Sequence, residues 1–303
     1  MPDTKTPVRT VAIVGAGTMG RRIAYGCVIQ RVEARVYDEM PSAITDAVGA
    51  VRSLVAERVA RGNLEARGVG DAQACLIPCS TLRDCVAQAD WIIETVPEDL
   101  ELKRRVLNEI RRFAAEDAYI ATNSSSIPGS WLAESTGRPE RFINMNFGAP
   151  DHLKVEVMGH PTTAPETTAA ARAFLRQLGL VPVVAQREIQ GYPTNRVWRA
   201  VKKEVLQLLD GGYSTPEDID RGWMLDWHTP IGPCGLMDVV GLDVVRDIEM
   251  IYYNASGDPS DKPPQLLHDM ITAGKLGVKS GEGFYTHPNP AYERPGWLTG
   301  DDS

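Results

Sequence analysis

Apolar residues enter this chain in two rhythms. In the first part they form short runs, over 11–14, 34–37, 74–77, 91–95, 118–122, 142–147, 154–158 and 181–184. Runs of that length, bounded by Gly, Pro, Asn or Asp, predict strands buried on both faces. Between them the spacing widens to three or four: Met19, Ile23 and Cys27, then Ile44, Val48, Val51, Leu54, Val55 and Val59 with arginines on the opposite side. This predicts amphipathic helices after the first strand and over 41–68, 82–87, 100–114 and 165–178. Gly68-Val69-Gly70 is expected to break the second of these. At Gly191 the strand rhythm stops. Val197, Val201, Val205 and Leu208 recur at helical spacing as far as Gly211-Gly212, and helical pattern continues to about residue 275. The chain thus divides into an α/β domain, residues 1–187, and an all-α domain, residues 188–303, whose wide apolar faces predict a homodimer. The last fifteen or so residues, polar and rich in Pro and Gly, are expected to form a loose tail.

The opening unit carries the most specific chemistry. Gly15, Gly17 and Gly20, with Thr18 and Met19 between the last two, stand at G-x-G-x-x-G spacing between a strand and a helix. In that arrangement the first glycine makes a tight turn and the second admits a pyrophosphate. The third lets helix and strand pack closely, and the free N–H groups of the helix start face the phosphates. A glycine pattern alone is only a turn. Here a second strand follows and ends in Asp38, an acid at the distance expected for a ribose hydroxyl ligand. The whole sequence predicts a Rossmann-type doubly wound sheet that binds a dinucleotide. Asp38 accepts from a 2′-hydroxyl and repels a 2′-phosphate, and Glu39 adds to the repulsion, so NAD is expected over NADP.

Composition narrows the function classes. At 303 residues the chain has room for two cores. A formal net charge of −8 with no basic stripe argues against nucleic acid. No apolar run reaches membrane-spanning length and the first residues lack a signal-peptide pattern, so no membrane is expected. Five cysteines, an odd number, suggest a reducing, cytoplasmic compartment. Cys75, Cys79 and Cys85 cluster without C-x-x-C spacing and read as small apolar residues around a strand; no metal site is expected.

In a doubly wound sheet, ligands meet the carboxyl ends of the strands. Two such ends carry polar residues. Glu98 follows the strand 91–95, where it can face a ligand or favour the start of the next helix. Asn123-Ser124-Ser125-Ser126 follows the strand 118–122, where serines serve equally as loop, cap or ligand contacts.

Along nearly its whole length the chain resembles the 3-hydroxyacyl-CoA dehydrogenase family. The matching pieces are GAGTMG (15–20), ETVPEDLELK (94–103), ATNSSSI (121–127), RFINMNFGAP (141–150), LKVEV (153–157), GYPTNR (191–196), PIGPCGLMDVVGLD (230–243) and GVKSGEGFY (277–285). Within the family, VPEDLELK and HPTTAPETT (160–168) are most similar to the branch acting on free hydroxy acids, the L-gulonate 3-dehydrogenase and λ-crystallin relatives. The resemblance implies NAD-dependent oxidation of a 3-hydroxy group, or the reverse. It implies that Ser125 and Asn195 hold the substrate oxygen and that Glu156 orients a catalytic histidine. Glu98, Lys103 and Asn123 fall on the cofactor side.

That histidine is missing. Where the family reads H-F-x-N-P, this chain reads Asn146-Phe147-Gly148-Ala149-Pro150, and the turn that follows is two residues shorter than in the acyl-CoA enzymes. A carboxamide can donate a hydrogen bond to a carbonyl but cannot serve as a base at any useful pH. Three explanations stand open at this point. His152, His228 or Glu156 supplies the base; or the substrate needs none; or the protein binds NAD and does little chemistry. The expected function is hydride transfer between NAD and a small polar 3-hydroxy acid, with Ser125, Asn146 and Asn195 around the oxygen in a cleft between the domains. A CoA thioester substrate is the alternative, with Arg52, Arg58, Arg61 and Arg67 facing its phosphates.

Overall fold

A computed structural model describes residues 7–62, 68–148 and 153–300, which fall into two compact units, Met1–Pro193 and Thr194–Ser303. The first holds one eight-stranded sheet, in the order β3-β2-β1-β4-β5-β6-β7-β8. Its strands are β1 (Thr10–Val14), β2 (Glu33–Tyr37), β3 (Leu76–Pro78), β4 (Trp91–Glu94), β5 (Tyr119–Thr122), β6 (Phe142–Phe147), β7 (Lys154–Met158) and β8 (Val181–Ala185). Pairing is parallel everywhere except between β6 and β7. The helices are α1 (Thr18–Ile29), α2 (Pro41–Ala60), α3 (Gly68–Ala74), α4 (Leu82–Val86), α5 (Leu100–Phe113) and α6 (Pro165–Gln177). Side chains of α1, α2 and α6, among them Ile23, Val51 and Phe174, pack with Ile13 and Val36 on one face of the sheet. Leu107 and Ile110 of α5 and Cys85 of α4 pack with Ala12, Ile92 and Ile120 on the other. Burial of both faces is why the central strands read as unbroken apolar runs.

The switch to antiparallel pairing at β7 orients the polar residues that matter below. On β6, Ile143, Met145 and Phe147 join the α1 side of the core, as do Val155 and Val157 of β7. Because successive side chains of a strand alternate, Asn144 and Asn146 face the other way, and so do Lys154 and Glu156.

Two local expectations are corrected. Gly68-Val69-Gly70 does not interrupt helix but begins one, α3, so strand β3 starts later than expected. In a first turn no N–H needs an i−4 acceptor, and Asp71 there complements the helix dipole. The described part of the last fifteen residues, as far as 300, is not a loose tail: Tyr292 and Trp297 are buried in the core of the second unit.

That second unit is built of α7 (Pro193–Asp210), α8 (Pro216–Trp227), α9 (Pro233–Val240), α10 (Leu242–Ser256) and α11 (Gln265–Thr272). Two buried acids tie it together. Asp220 of α8 accepts from the backbone N–H groups of Cys234 and Gly235 at 2.7 and 2.8 Å and from the Tyr285 hydroxyl at 3.0 Å, capping α9 from outside. Asp238 accepts from the N–H groups of Phe284 and Tyr285 and contacts the His287 ring at 3.0 Å. A Cβ on Gly283 would lie 2.1 Å from an Asp238 oxygen, which accounts for glycine in the 277–285 segment. No described helix is long and apolar enough to cross a membrane.

Candidate active site

The glycine turn has the geometry its spacing predicts. Gly15 takes φ +111°, and a Cβ there would meet Thr95 at 2.8 Å; a Cβ on Gly20 would lie 2.0 Å from the Gly15 carbonyl oxygen. Gly17 differs from both. It caps α1 without a side chain, and a Cβ added to it meets nothing within 4 Å. Open space thus stands before uncapped helix N–H groups, at Thr18 and Met19, the chemistry that suits a pyrophosphate. Asp38 reaches this turn directly: its Oδ2 accepts from the Ala16 N–H at 2.8 Å and its Oδ1 from the Met40 N–H at 3.0 Å. The residues present fit a dinucleotide.

At the ends of β4 and β5 an ordered chain of charges leads inward. Glu94, fully buried, accepts from the Lys103 ammonium at 2.8 Å, the Thr122 hydroxyl at 2.7 Å and the Val96 N–H at 2.7 Å. Burial pushes its carboxyl above the ordinary glutamate range, against the pull of Lys103 and these donors. Lys103 is 1% exposed and divides its protons among Glu94, the Val96 carbonyl at 3.0 Å and Glu98 at 3.4 Å. It therefore stands behind Glu98 rather than at the surface. Glu98 Oε1 in turn gathers four donors: the Ser124 hydroxyl at 2.6 Å, the Ser125 N–H at 3.1 Å, and the Ser126 N–H and hydroxyl at 2.9 and 2.8 Å. Burial works to raise this carboxyl, but the Ser124 hydroxyl, the Ser126 donors and the Lys103 charge outweigh it and hold it below the ordinary range. The result is a serine loop clamped on one carboxylate. Tyr192, buried, closes it from the far side by donating to the Ser124 carbonyl at 2.7 Å. The Ser125 hydroxyl is left exposed and bonds no other described residue.

Asn123, Asn146 and Glu156 meet beside that loop. Asn123 Oδ1 accepts from the Phe147 N–H at 2.9 Å, and the Asn146 amide donates to the Asn123 carbonyl at 3.3 Å. Asn146 and Glu156 are Cα partners across the antiparallel pair. Glu156 is 1% exposed, and its Oε2 lies 3.2 Å from the Lys154 ammonium, two residues earlier on the same strand face. Burial raises the Tyr192 hydroxyl's pKa, with Glu98 and Glu156 both adding to the effect, so the two carboxylates share one region.

His152 lies outside the described residues, as does Arg67. His228 is an exposed residue at the end of α8 in the second unit. His160 is the one histidine among the described residues of the first unit. Its ring stands 5.8 Å from Phe142, at the opposite end of β6 from Asn146, a separation of about 13 Å along an extended strand. Burial holds its imidazole below the ordinary histidine range. Asn195 is a half-buried residue in the first turn of α7. Among the described residues no group of His, Cys, Asp or Glu is placed to hold a metal ion. The sequence reading passed over Glu94, Thr122, Tyr192 and Lys154. Two of them had signals: an acid closing the apolar run 91–94, and a lysine at strand spacing from Glu156.

Residues 10–189 match the family 3-hydroxyacyl-CoA dehydrogenase, NAD binding domain, and residues 191–287 match 3-hydroxyacyl-CoA dehydrogenase, C-terminal domain. The chain is 33% identical to 5-formyl-3-hydroxy-2-methylpyridine 4-carboxylate 5-dehydrogenase of Mesorhizobium japonicum, over 92% of this chain and 91% of that one. It is 32% identical to the fatty acid oxidation complex subunit alpha of Shewanella frigidimarina, over 92% of its own length but 39% of that protein's. The solved structure of (S)-3-hydroxybutyryl-CoA dehydrogenase from Ralstonia eutropha superposes with a TM-score of 0.85, at 33% identity, covering 93% of this chain and all of that one.

Proposed function

Because the chain belongs to the 3-hydroxyacyl-CoA dehydrogenase family, we propose that it is an NAD-dependent dehydrogenase of a small polar 3-hydroxy acid or its keto form, working without the family's histidine. Bound NAD supplies the hydride acceptor, or NADH the donor. Gly15, Gly17, Thr18, Met19 and Gly20 hold the pyrophosphate, and Asp38 the adenosine ribose. Glu98 fixes the serine loop so that the Ser125 hydroxyl points at the substrate oxygen, with Asn123 and Lys103 as supports. Asn146 offers an amide to the same oxygen. Asn195 enters this reading through the family resemblance alone.

The observation that carries the reading is the clamped loop: a carboxylate holding four donors fixes the Ser125 backbone and leaves its hydroxyl exposed and unspent. A preorganised donor beside a reacting oxygen is the arrangement that stabilises developing negative charge. A free acid is favoured over a thioester because the Mesorhizobium japonicum relative, which matches this chain end to end, is named for a pyridine carboxylate. Isothermal titration with NAD, then NADH-linked turnover on matched panels of free hydroxy acids and their CoA thioesters, tests both parts. No NAD binding rejects the reading outright, and turnover confined to thioesters rejects the substrate class.

A further inference from the structure

We propose that Lys154 is the proton-transfer residue of this site, taking the place of the absent imidazole. The proposal rests on the dehydrogenase reading above.

Four observations lead there. Glu156 is almost wholly buried, and a buried carboxylate is retained only when it is paired and hydrogen-bonded. Its ion-pair partner is the Lys154 ammonium, 3.2 Å away. Strand alternation puts Lys154, Glu156 and, across the ladder, Asn146 on one face, with Lys154 one step nearer the end of the sheet where the serine loop lies. The Lys154 side chain is 32% exposed, so its nitrogen is held by the carboxylate yet reachable by a ligand. The other described titratable groups of this region are committed. Tyr192 is buried and donates to the Ser124 carbonyl, and Glu98 carries its four donors. The Asn146 amide does not ionise at any useful pH. A carboxylate that grips one basic nitrogen and aims it is the arrangement the resemblance assigns to glutamate and histidine, and here the nitrogen belongs to Lys154.

The chemistry balances in either direction. In reduction, the substrate's carbonyl carbon receives hydride from NADH while its oxygen takes a proton from the Lys154 ammonium; a C–H and an O–H bond form, and NAD and a neutral amine remain. In oxidation the amine takes the hydroxyl proton, the electron pair of the O–H bond closes the carbonyl, and the carbinol hydrogen leaves as hydride. Reduction needs the ammonium and oxidation the free amine, so the two directions should respond oppositely to pH. Among the described residues, the charged group facing Lys154 is Glu156 on its own strand, at 3.2 Å, while Glu98, Glu156 and Glu188 act on Tyr192.

The test joins kinetics to a measurement without cofactor. Lys154→Met and Lys154→Arg should lower reduction kcat/KM at neutral pH by about 100- to 10,000-fold, the usual contribution of a positioned acid or base, while NAD affinity stays unchanged. Arginine keeps the charge but releases no proton, so both variants should also lose the alkaline limb of the pH profile. In the apoprotein, Nζ-detected NMR of 15N-lysine-labelled chain, with the Lys154 resonance identified by its loss in Lys154→Arg, should give a titration at the pH of that limb, displaced by Glu156→Gln. His152→Gln should leave the limb in place. A limb that survives both Lys154 variants, or that vanishes with His152→Gln, overturns the assignment while leaving the dehydrogenase reading intact. Wild-type protein with no turnover on any hydroxy or keto acid would instead remove the reading beneath it, and the assignment with it.

Discussion

Asn146 and Glu156 stand directly opposite each other on neighbouring antiparallel strands, so the residue at the position where the resemblance implies a histidine faces the glutamate it implies as that histidine's partner. The amide of Asn146 turns to the Asn123 carbonyl instead, and Glu156 takes Lys154. Replacing Asn146 by His should therefore not restore a lost base. The imidazole would compete with Lys154 for Glu156, and 3-hydroxy-acid oxidation should stay level or fall. A clear gain in kcat for Asn146→His would mean that the base had simply been lost.

Two glycines of the opening turn should separate by phenotype. Gly20→Ala drives a methyl to 2.0 Å from the Gly15 carbonyl, which forces helix and strand apart and should lower the melting temperature. Gly17→Ala meets no protein atom, so its melting curve should match the wild type. Its methyl would occupy the space before the helix N–H groups and should cost NAD at least tenfold in affinity, about 1.4 kcal/mol. Calorimetry and NAD titration on the two variants check this.

Lys103 and Glu94 form a pair that is 1% and 0% exposed. Removing one partner of such a pair typically costs about 3–5 kcal/mol, because the other is left buried without compensation. Lys103→Met should fall in that range by urea unfolding. The double variant Glu94→Gln/Lys103→Met should recover most of it, since the amide oxygen still accepts from the Val96 N–H and the amide nitrogen donates to the Thr122 hydroxyl. Equal losses in the single and double variants would mean that the ion pair itself, not the stranded charge, carries the stability.

His160 should make the protein acid-sensitive over a defined window. Its folded pKa is depressed by burial, so the unfolded chain binds a proton that the folded one refuses. Unfolding free energy then falls as pH drops below the unfolded value of about 6.5, until the folded pKa is reached, with a slope of at most about 1.4 kcal/mol per pH unit. Glu98, depressed for the opposite reason, contributes stability above the unfolded glutamate value, about 4.3, that is lost only as pH falls below it. Melting curves from pH 7.5 to 5 should therefore shift in the wild type and flatten in His160→Gln.

Much of this was legible in the residues alone. The parallel sheet, the dinucleotide turn and the change to helix near residue 191 follow from local facts: run length, glycine spacing and the period of apolar positions. Each is set by the chain within a few residues of itself, and strands buried on both faces leave little ambiguity. That an asparagine, Asn146, stands where the resemblance implies a histidine was equally plain, since it is a matter of identity.

What tertiary structure decided is who pairs with whom. That Glu98 collects Ser124, Ser125 and Ser126, residues 26 to 28 positions away, depends on β4 and β5 lying side by side. That Lys103 is buried against Glu94 depends on how α5 returns over the sheet. That Tyr292 and Trp297 are core residues depends on the apolar side chains of the helices they pack against, which no polar, proline-rich segment announces. The role of Lys154 waited on the same thing: its two-residue spacing from Glu156 was visible, but only the antiparallel ladder put that face opposite Asn146. Short-range forces write secondary structure into sequence, whereas a carboxylate finds its partner only after the chain has closed around it.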